Sequence, residues 1–97
     1  MNTRYPPTHP GEILREDVLP ELGVSISELA RRISVSRVQL SRLIHGHAPL
    51  TADMAVALEG MIPVAVIETW MKMQVARDLW LARQARSAGQ DPDAAVL

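Results

Sequence analysis

Two short helices are encoded by residues 25–46, which read SISELARRISVSRVQLSRLIHG. Each begins with the same signal, a serine followed three residues later by a residue that can complete a capping box. Ser25 stands three residues before Glu28, and Ser36 stands three residues before Gln39. Because the two helix starts are separated by so short a stretch, the sequence predicts a helix-turn-helix.

The predicted boundaries follow from these caps. The first helix of the motif covers residues 26–33, the turn covers residues 34–36, and the second helix covers residues 37–45. Gly46 then supplies the left-handed residue that commonly ends a helix.

A series of short motifs runs through most of the chain: LA at 29–30, VS at 35–36, LSRL at 40–43, HPGEIL at 9–14, LTADMA at 50–55, WMKMQ at 70–74 and DL at 78–79. The first three resemble the helix-turn-helix of the XRE family, which is named for phage Cro and lambda-type repressors. The flanking motifs are similar to those of the HigA-type antitoxins, which narrows the resemblance to that group.

The resemblance implies a fold and a function. The expected fold is all-α, a five-helix lambda-repressor-like helix-turn-helix domain with a long C-terminal helix. The implied function is that of an antitoxin in a type II toxin–antitoxin pair. It would bind a palindromic operator as a homodimer, repress its own operon and neutralise a HigB-type, RelE-like ribonuclease. The family usually has glycine where this turn has Ser34, so we expect a strained backbone there, at a cost of about 1 kcal/mol.

The remaining helices are predicted from apolar spacing and caps. Helix 1 covers residues 10–19, and Pro20 should end or kink it because proline lacks a backbone donor. Gly23 closes this segment. Thr51 caps helix 4, whose expected buried side chains are Met54 or Ala55, Leu58 and Met61. An apolar link, Ile62-Pro63-Val64, follows where the family usually has a polar turn.

Helix 5 is predicted over residues 65–86, and its apolar residues cover more than one face. A helix that is apolar most of the way round is either buried or shared with a partner. Together with the resemblance, this predicts a homodimer made through Trp70, Met73, Trp80 and Leu81; the alternative is that Trp80 and Leu81 only cover the core of one protomer. The predicted domain is 9–86, preceded by a flexible segment, 1–8, and followed by a disordered tail, 87–97.

The net charge of -1 hides an uneven distribution. Residues 25–50 carry four arginines against one acid, whereas residues 1–24 and 51–97 each carry two more acids than bases. A basic stretch on an otherwise acidic chain is typical of a DNA-binding module. A solvated surface of mixed charge is the alternative.

The second helix of the motif has two faces at 100° per residue, with Leu40, Leu43 and Ile44 on one of them. The other face predicts base contacts, since Arg42 can donate two hydrogen bonds to a guanine and Val38 can touch a thymine methyl group. Residues at the helix N-terminus and the two nearby histidines can contact a phosphate. The predicted DNA-binding residues are Ser36, Arg37, Val38, Ser41, Arg42, His45 and His47.

Other classes of protein are poorly supported. A chain of 97 residues without cysteine leaves no room for a second domain and offers no thiolate metal site or nucleophile. His9, His45 and His47 lack the spacing of a catalytic zinc site, and no cofactor motif is present. His9 is expected to cap helix 1. No apolar run approaches the roughly 18 residues of a membrane span, so we expect a soluble, cytoplasmic protein that is not an enzyme.

Two alternatives to an antitoxin remain open at this stage. One is a free-standing helix-turn-helix repressor without a toxin. The other is a protein-interaction module that has lost DNA binding, which the near-neutral total charge and the uncharged loop after Gly46 favour.

Overall fold

A computed structural model of the chain describes residues 5–89, which form five helices and, within that range, no β-strand. The all-α, five-helix prediction is therefore confirmed. Helix α1 consists of three consecutive turns, and the full set of elements is α1 (Pro10–Ile13, Leu14–Val18 and Leu19–Leu22), α2 (Ile26–Arg32), α3 (Arg37–Ile44), α4 (Ala52–Leu58) and α5 (Val64–Gly89).

Helix α1 does not end at Pro20, contrary to the sequence-based boundary. Its middle turn, Leu14–Val18, is a π-helical turn in which the Leu19 N–H bonds to the Leu14 carbonyl five residues back. Pro20 then falls in the first turn of the last α-helical segment, where its missing N–H is not needed. The helix closes as predicted at Gly23, which has a φ of 67° and donates its N–H to the Leu19 carbonyl at 2.9 Å.

The predicted N-caps of the helix-turn-helix are present. The Ser25 hydroxyl accepts the Glu28 N–H at 3.1 Å, and the Ser36 hydroxyl accepts the Gln39 N–H at 3.3 Å. The reciprocal half of the first capping box is missing, because the Glu28 carboxylate pairs with two arginines of its own helix. The turn contains the expected strain, since Ser34 has a φ of 57°, which non-glycine residues seldom adopt.

All five helices contribute buried side chains to the core. Its side chains from α3 are the predicted Leu40, Leu43 and Ile44. In α4 both Met54 and Ala55 are buried, together with Leu58. Met61 was predicted to be buried as well, but it lies beyond the end of α4 and is only half-buried, while Ile62 takes the buried position.

Helix α1 supports α3 from the side opposite to its exposed face. The backbones approach so closely at Gly11 that a Cβ there would overlap the Leu43 carbonyl, whose carbon would lie 2.8 Å away. Arg15 donates to the Ile44 carbonyl at 3.0 Å and so satisfies one of the last acceptors of α3. These contacts fix the orientation of α3 relative to the rest of the domain.

Helix α5 starts at Val64 and continues to Gly89, beyond the predicted end at residue 86. Residues 87–89 are therefore helical, whereas the rest of the predicted tail, 90–97, and residues 1–4 lie outside the described part of the chain. Part of the N-terminal segment expected to be flexible is bonded to α5, because Arg77 donates to the Pro7 carbonyl at 2.9 Å. None of the described helices has the length and apolar character needed to cross a membrane.

Candidate nucleic-acid interface

The outer face of α3 is open to solvent. Val38 is 65 % exposed, and Ser36, Arg37 and Arg42 are also exposed. Ser41 on the same helix is half-buried. Val38 is an exposed apolar side chain beside two arginines. This combination fits a surface that contacts thymine methyl groups as well as the acceptor atoms of bases and the anionic phosphates of DNA.

Arg37 is held by the other helix of the motif. Its Nε donates to the Ser27 hydroxyl of α2 at 2.7 Å, and its remaining N–H groups make no hydrogen bond within residues 5–89. The side chain is therefore oriented at the start of α3, next to free backbone N–H groups. A phosphate that approaches this helix end would meet both sets of donors.

Arg42 is anchored at the far end of α3. Its Nη2 donates to the His47 carbonyl at 3.1 Å, which ties the guanidinium to the loop after the helix. Arg42 also lines a groove of about 430 Å³ between α3 and the start of α4, and Gln39 lies in the same groove. The other N–H donors of Arg42 are uncommitted within the described residues.

Gln39 is a candidate that was assigned only a capping role from the sequence. Its backbone N–H takes part in the cap, but its exposed side chain makes no hydrogen bond among the described residues. A free carboxamide beside Arg42 can pair with adenine N6 and N7. The sequence signal that indicates this position is its spacing of three residues from Arg42, which places both on one helix face.

The two histidines of this region have different surroundings. His45 Nδ1 lies 2.8 Å from the Ser41 carbonyl oxygen and 3.3 Å from its hydroxyl, so the contact assigns the proton to Nδ1. Only the protonated ring of His45 could then donate to a phosphate through Nε2. His47 is exposed, and its backbone N–H and carbonyl both bond to Arg42.

The arginines of the helix-turn-helix differ in whether they have a carboxylate partner. In α2, Arg31 and Arg32 both pair with Glu28, and these hydrogen bonds, first that from Arg31, hold the pKa of the Glu28 carboxyl below its usual range. Arg37 and Arg42, by contrast, have no carboxylate partner within residues 5–89. Within the helix-turn-helix, the arginines whose charge no described carboxylate offsets are therefore the two on the outer face.

A hydrogen-bond network behind the interface holds the loop between α3 and α4. The buried Gln74 of α5 accepts the Leu50 N–H through Oε1 at 2.7 Å and donates to Asp78 through Nε2 at 2.8 Å. His9 caps α1, as predicted, by accepting the Gly11 N–H at 2.9 Å. Its other nitrogen donates to the loop carbonyl of Ala48 at 3.0 Å.

Burial is the main cause that lowers the pKa of His9, and the nearby guanidinium of Arg77 lowers it further. Both effects favour the neutral ring, which can accept at one nitrogen and donate at the other. No group of three potential metal ligands occurs among the described residues. His9 is thus placed as a structural residue.

The predicted dimer residues are distributed between the core and the surface. Trp70 is 4 % exposed and packs inside the protomer, so almost none of it is available to a partner. Met73 and Trp80 are half-buried, and Leu81 is 43 % exposed. A dimer contact through α5 therefore remains a prediction that depends on Leu81 and its exposed neighbours.

Comparison with known proteins agrees with this geometry. The sequence profile of the helix-turn-helix family (HTH_3) matches residues 14–66. Virulence-associated protein I of Dichelobacter nodosus is 35 % identical over 83 residues, which cover 86 % of this chain and 76 % of that protein. Antitoxin HigA-1 of Vibrio cholerae is 36 % identical over 84 residues, which cover 84 % and 75 %.

A solved structure gives the same result for the fold. The Pseudomonas aeruginosa antitoxin HigA, solved with the higBA promoter, superposes with a TM-score of 0.76 at 31 % identity, over 89 % of this chain and 97 % of that one. The sequence profile, the relatives and the solved structure thus agree with the resemblance to the XRE family and HigA-type antitoxins that the sequence motifs indicate. The chain belongs to the XRE-type helix-turn-helix family, and HigA antitoxins are among the proteins to which it is similar.

Proposed function

We propose that this protein is an antitoxin and autorepressor, which binds a palindromic operator as a homodimer and neutralises a HigB-type, RelE-like ribonuclease in the cytoplasm. It would act by binding and not by catalysis. The observation that carries the proposal is the outer face of α3, where Arg37 and Arg42 have no carboxylate partner among residues 5–89 and Val38 is exposed. The similar Pseudomonas aeruginosa antitoxin was solved with promoter DNA, which supports the DNA partner.

In the proposed complex α3 lies in the major groove. Arg42 pairs with guanine O6 and N7, Gln39 is free to read a neighbouring base, and Val38 packs on a thymine methyl group. Ser36 and Arg37 contact the phosphate at the start of the helix. Polar contacts along the edge of the same surface come from Ser41, His45 and His47.

The dimer is proposed to form through the C-terminal half of α5. Residues 81–89 are all exposed, and Val75, Leu79 and Leu81 are exposed apolar side chains on this helix. A second copy would cover them, since a lone protomer cannot. Two α3 helices about 34 Å apart would then enter successive major grooves of one operator.

The first experiment is a mobility-shift titration of the protein against its own upstream DNA at two salt concentrations. We expect specific binding that weakens as salt rises, because phosphate contacts release counterions. Arg42→Ala should weaken binding by about 1–3 kcal/mol and relax one base position. Lys72→Ala, which removes an exposed base in the N-terminal half of α5, is the control and should leave operator binding unchanged.

The same titration tests the interaction-module alternative, and co-purification tests the free-standing repressor. Absence of binding at low salt would reject the repressor role and favour a protein-interaction module. Operator binding without a toxin that co-purifies with the chain would favour a free-standing repressor. Co-expression with the product of the neighbouring gene is therefore the second step, with protection from growth arrest as the readout.

A further inference from the structure

A second surface of the molecule combines an apolar floor with an acidic rim. It is a groove of about 360 Å³ between the C-terminal half of α1 and the link that joins α4 to α5. Val18 and Leu22 of α1 and residues 61–63 of the link form its apolar part. This link is the apolar segment that departs from the usual polar turn of the family. We call this surface the acidic groove.

The rim of the acidic groove carries two carboxylates that pair with no residue in the described part of the chain. Asp17 and Glu21 stand four residues apart on α1, both are exposed, and neither forms an ion pair or hydrogen bond within residues 5–89. Like charges at this spacing repel each other. Among residues 5–89 no base lines the groove, and a base of a partner molecule would relieve the repulsion.

The apolar part of the groove is also incompletely covered. Leu22 is 37 % exposed, and Val18 and Met61 are only half-buried. Apolar side chains beside unpaired acids fit a partner that presents an apolar anchor next to lysine or arginine. In such a complex the apolar side chains of the groove would supply contact area, and the carboxylates of Asp17 and Glu21 would orient the partner.

We infer that the acidic groove is the docking surface for the ribonuclease toxin, an assignment that rests on the proposed function. A ribonuclease that binds polyanionic RNA needs a basic surface. The acidic groove complements such a surface, and its occupation would cover part of the charge that attracts RNA. The groove shares no residue with α3 or with the loop that follows it. Toxin and operator can therefore bind the same chain at once.

The test is the double charge reversal Asp17→Lys/Glu21→Lys, studied as the full chain with the purified toxin. Calorimetric titration measures toxin affinity, and mobility shift measures operator affinity. We expect toxin affinity to fall about 10- to 100-fold, because two attractive rim contacts become repulsive, while operator affinity stays within about twofold. The wild-type affinity for the toxin should also fall as salt rises, since exposed charges are screened.

The matched control is Glu12→Lys/Glu68→Lys, which changes the net charge by the same amount at exposed acids outside the groove. It should keep toxin affinity within about threefold, because neither acid lines the groove and their charges would reach a docked partner through screening solvent. If both double variants lose the same toxin affinity, the cause is the net charge of the chain and not the groove, and the assignment is overturned.

The outcomes also separate the groove from the proposed function. If the wild-type chain binds the toxin and the groove variant binds it equally well, the docking surface lies elsewhere and the antitoxin role stands. If the wild-type chain does not bind the toxin at all, the antitoxin role fails and the assignment fails with it. If the groove variant changes the oligomeric state of the chain alone, a second copy occupies the groove and the assignment is overturned.

Discussion

Gln74 connects α5 to the loop after α3, and the replacement Gln74→Glu tests this connection. The side chain is 4 % exposed and bonds to the Leu50 N–H and to the Asp78 carboxylate. Glutamate keeps the acceptor for Leu50 but places a second carboxylate against Asp78, 2.8 Å away in the native pair. Two carboxylates in such contact cannot both ionise, so the introduced carboxyl should hold a proton in the folded chain.

The size of the stability loss in Gln74→Glu follows from two numbers. The pKa of glutamate in the unfolded chain is about 4.3, and keeping the carboxyl protonated costs about 1.36 kcal/mol for each pH unit above that value. The folded-state pKa of the introduced carboxyl is raised, so the variant loses stability as pH rises above the unfolded value. The loss has an upper limit of about 3.7 kcal/mol at pH 7 and about 1 kcal/mol at pH 5. Once protonated, the carboxyl can donate to Asp78 as the amide does.

Urea unfolding at pH 5 and pH 7, at one fixed protein concentration, measures the difference between variant and wild type. Gln74→Leu is the control without a titrating group. It leaves the buried Leu50 N–H unpaired and should cost about 1–3 kcal/mol at both pH values. A Gln74→Glu loss that does not shrink at pH 5 would refute the proton argument, and no loss in either variant would refute the connection itself.

Two further predictions concern Ser34 and His9. Ser34→Gly should raise the free energy of unfolding by about 0.5–1 kcal/mol, because glycine accepts a φ of 57° without strain, whereas an equal gain from Ser34→Ala would contradict this cause. Because the pKa of His9 is lowered in the folded chain, the neutral ring contributes to the free energy of unfolding at pH values above the usual histidine pKa. This contribution to stability should disappear as pH falls below about 6.5. His9→Asn keeps a cap acceptor but has no titrating ring. Urea unfolding should therefore show that the difference in the free energy of unfolding between wild type and variant shrinks from pH 7.5 to pH 5. A difference that stays constant would contradict protonation of His9 as the cause.

The sequence predicted the features of this fold that depend on local chemistry. Serine caps at positions 25 and 36 and the buried face of α3 are properties of short segments, and the structure contains them as expected. The strain at Ser34 also follows from one residue and its place in a tight turn. These features need no knowledge of which helices pack together.

The features that were missed depend on contacts between distant segments. Pro20 predicts a helix end by local rules, but α1 continues through a π-helical turn, and its first turn packs tightly on α3 at Gly11. Gln74 and Leu50 are 24 residues apart, so their bond is visible only when α5 lies beside the loop. The acidic groove likewise exists only because residues 61–63 of the link lie beside α1.

Contacts from three sides fix the recognition surface, and this has a consequence for operator spacing. Arg15 of α1 and Ser27 of α2 hold the two ends of α3. On the third side, Arg42 bonds to the loop at His47, and the same loop reaches Gln74 of α5 through Leu50. If a second copy docks on α5, the distance between the two α3 helices is therefore set through these hydrogen bonds, of which the one between Leu50 and Gln74 is buried. The operator half-site spacing would then be a property of the dimer contact on α5, and substitutions at Leu81 should alter which spacing is bound more than which bases are read.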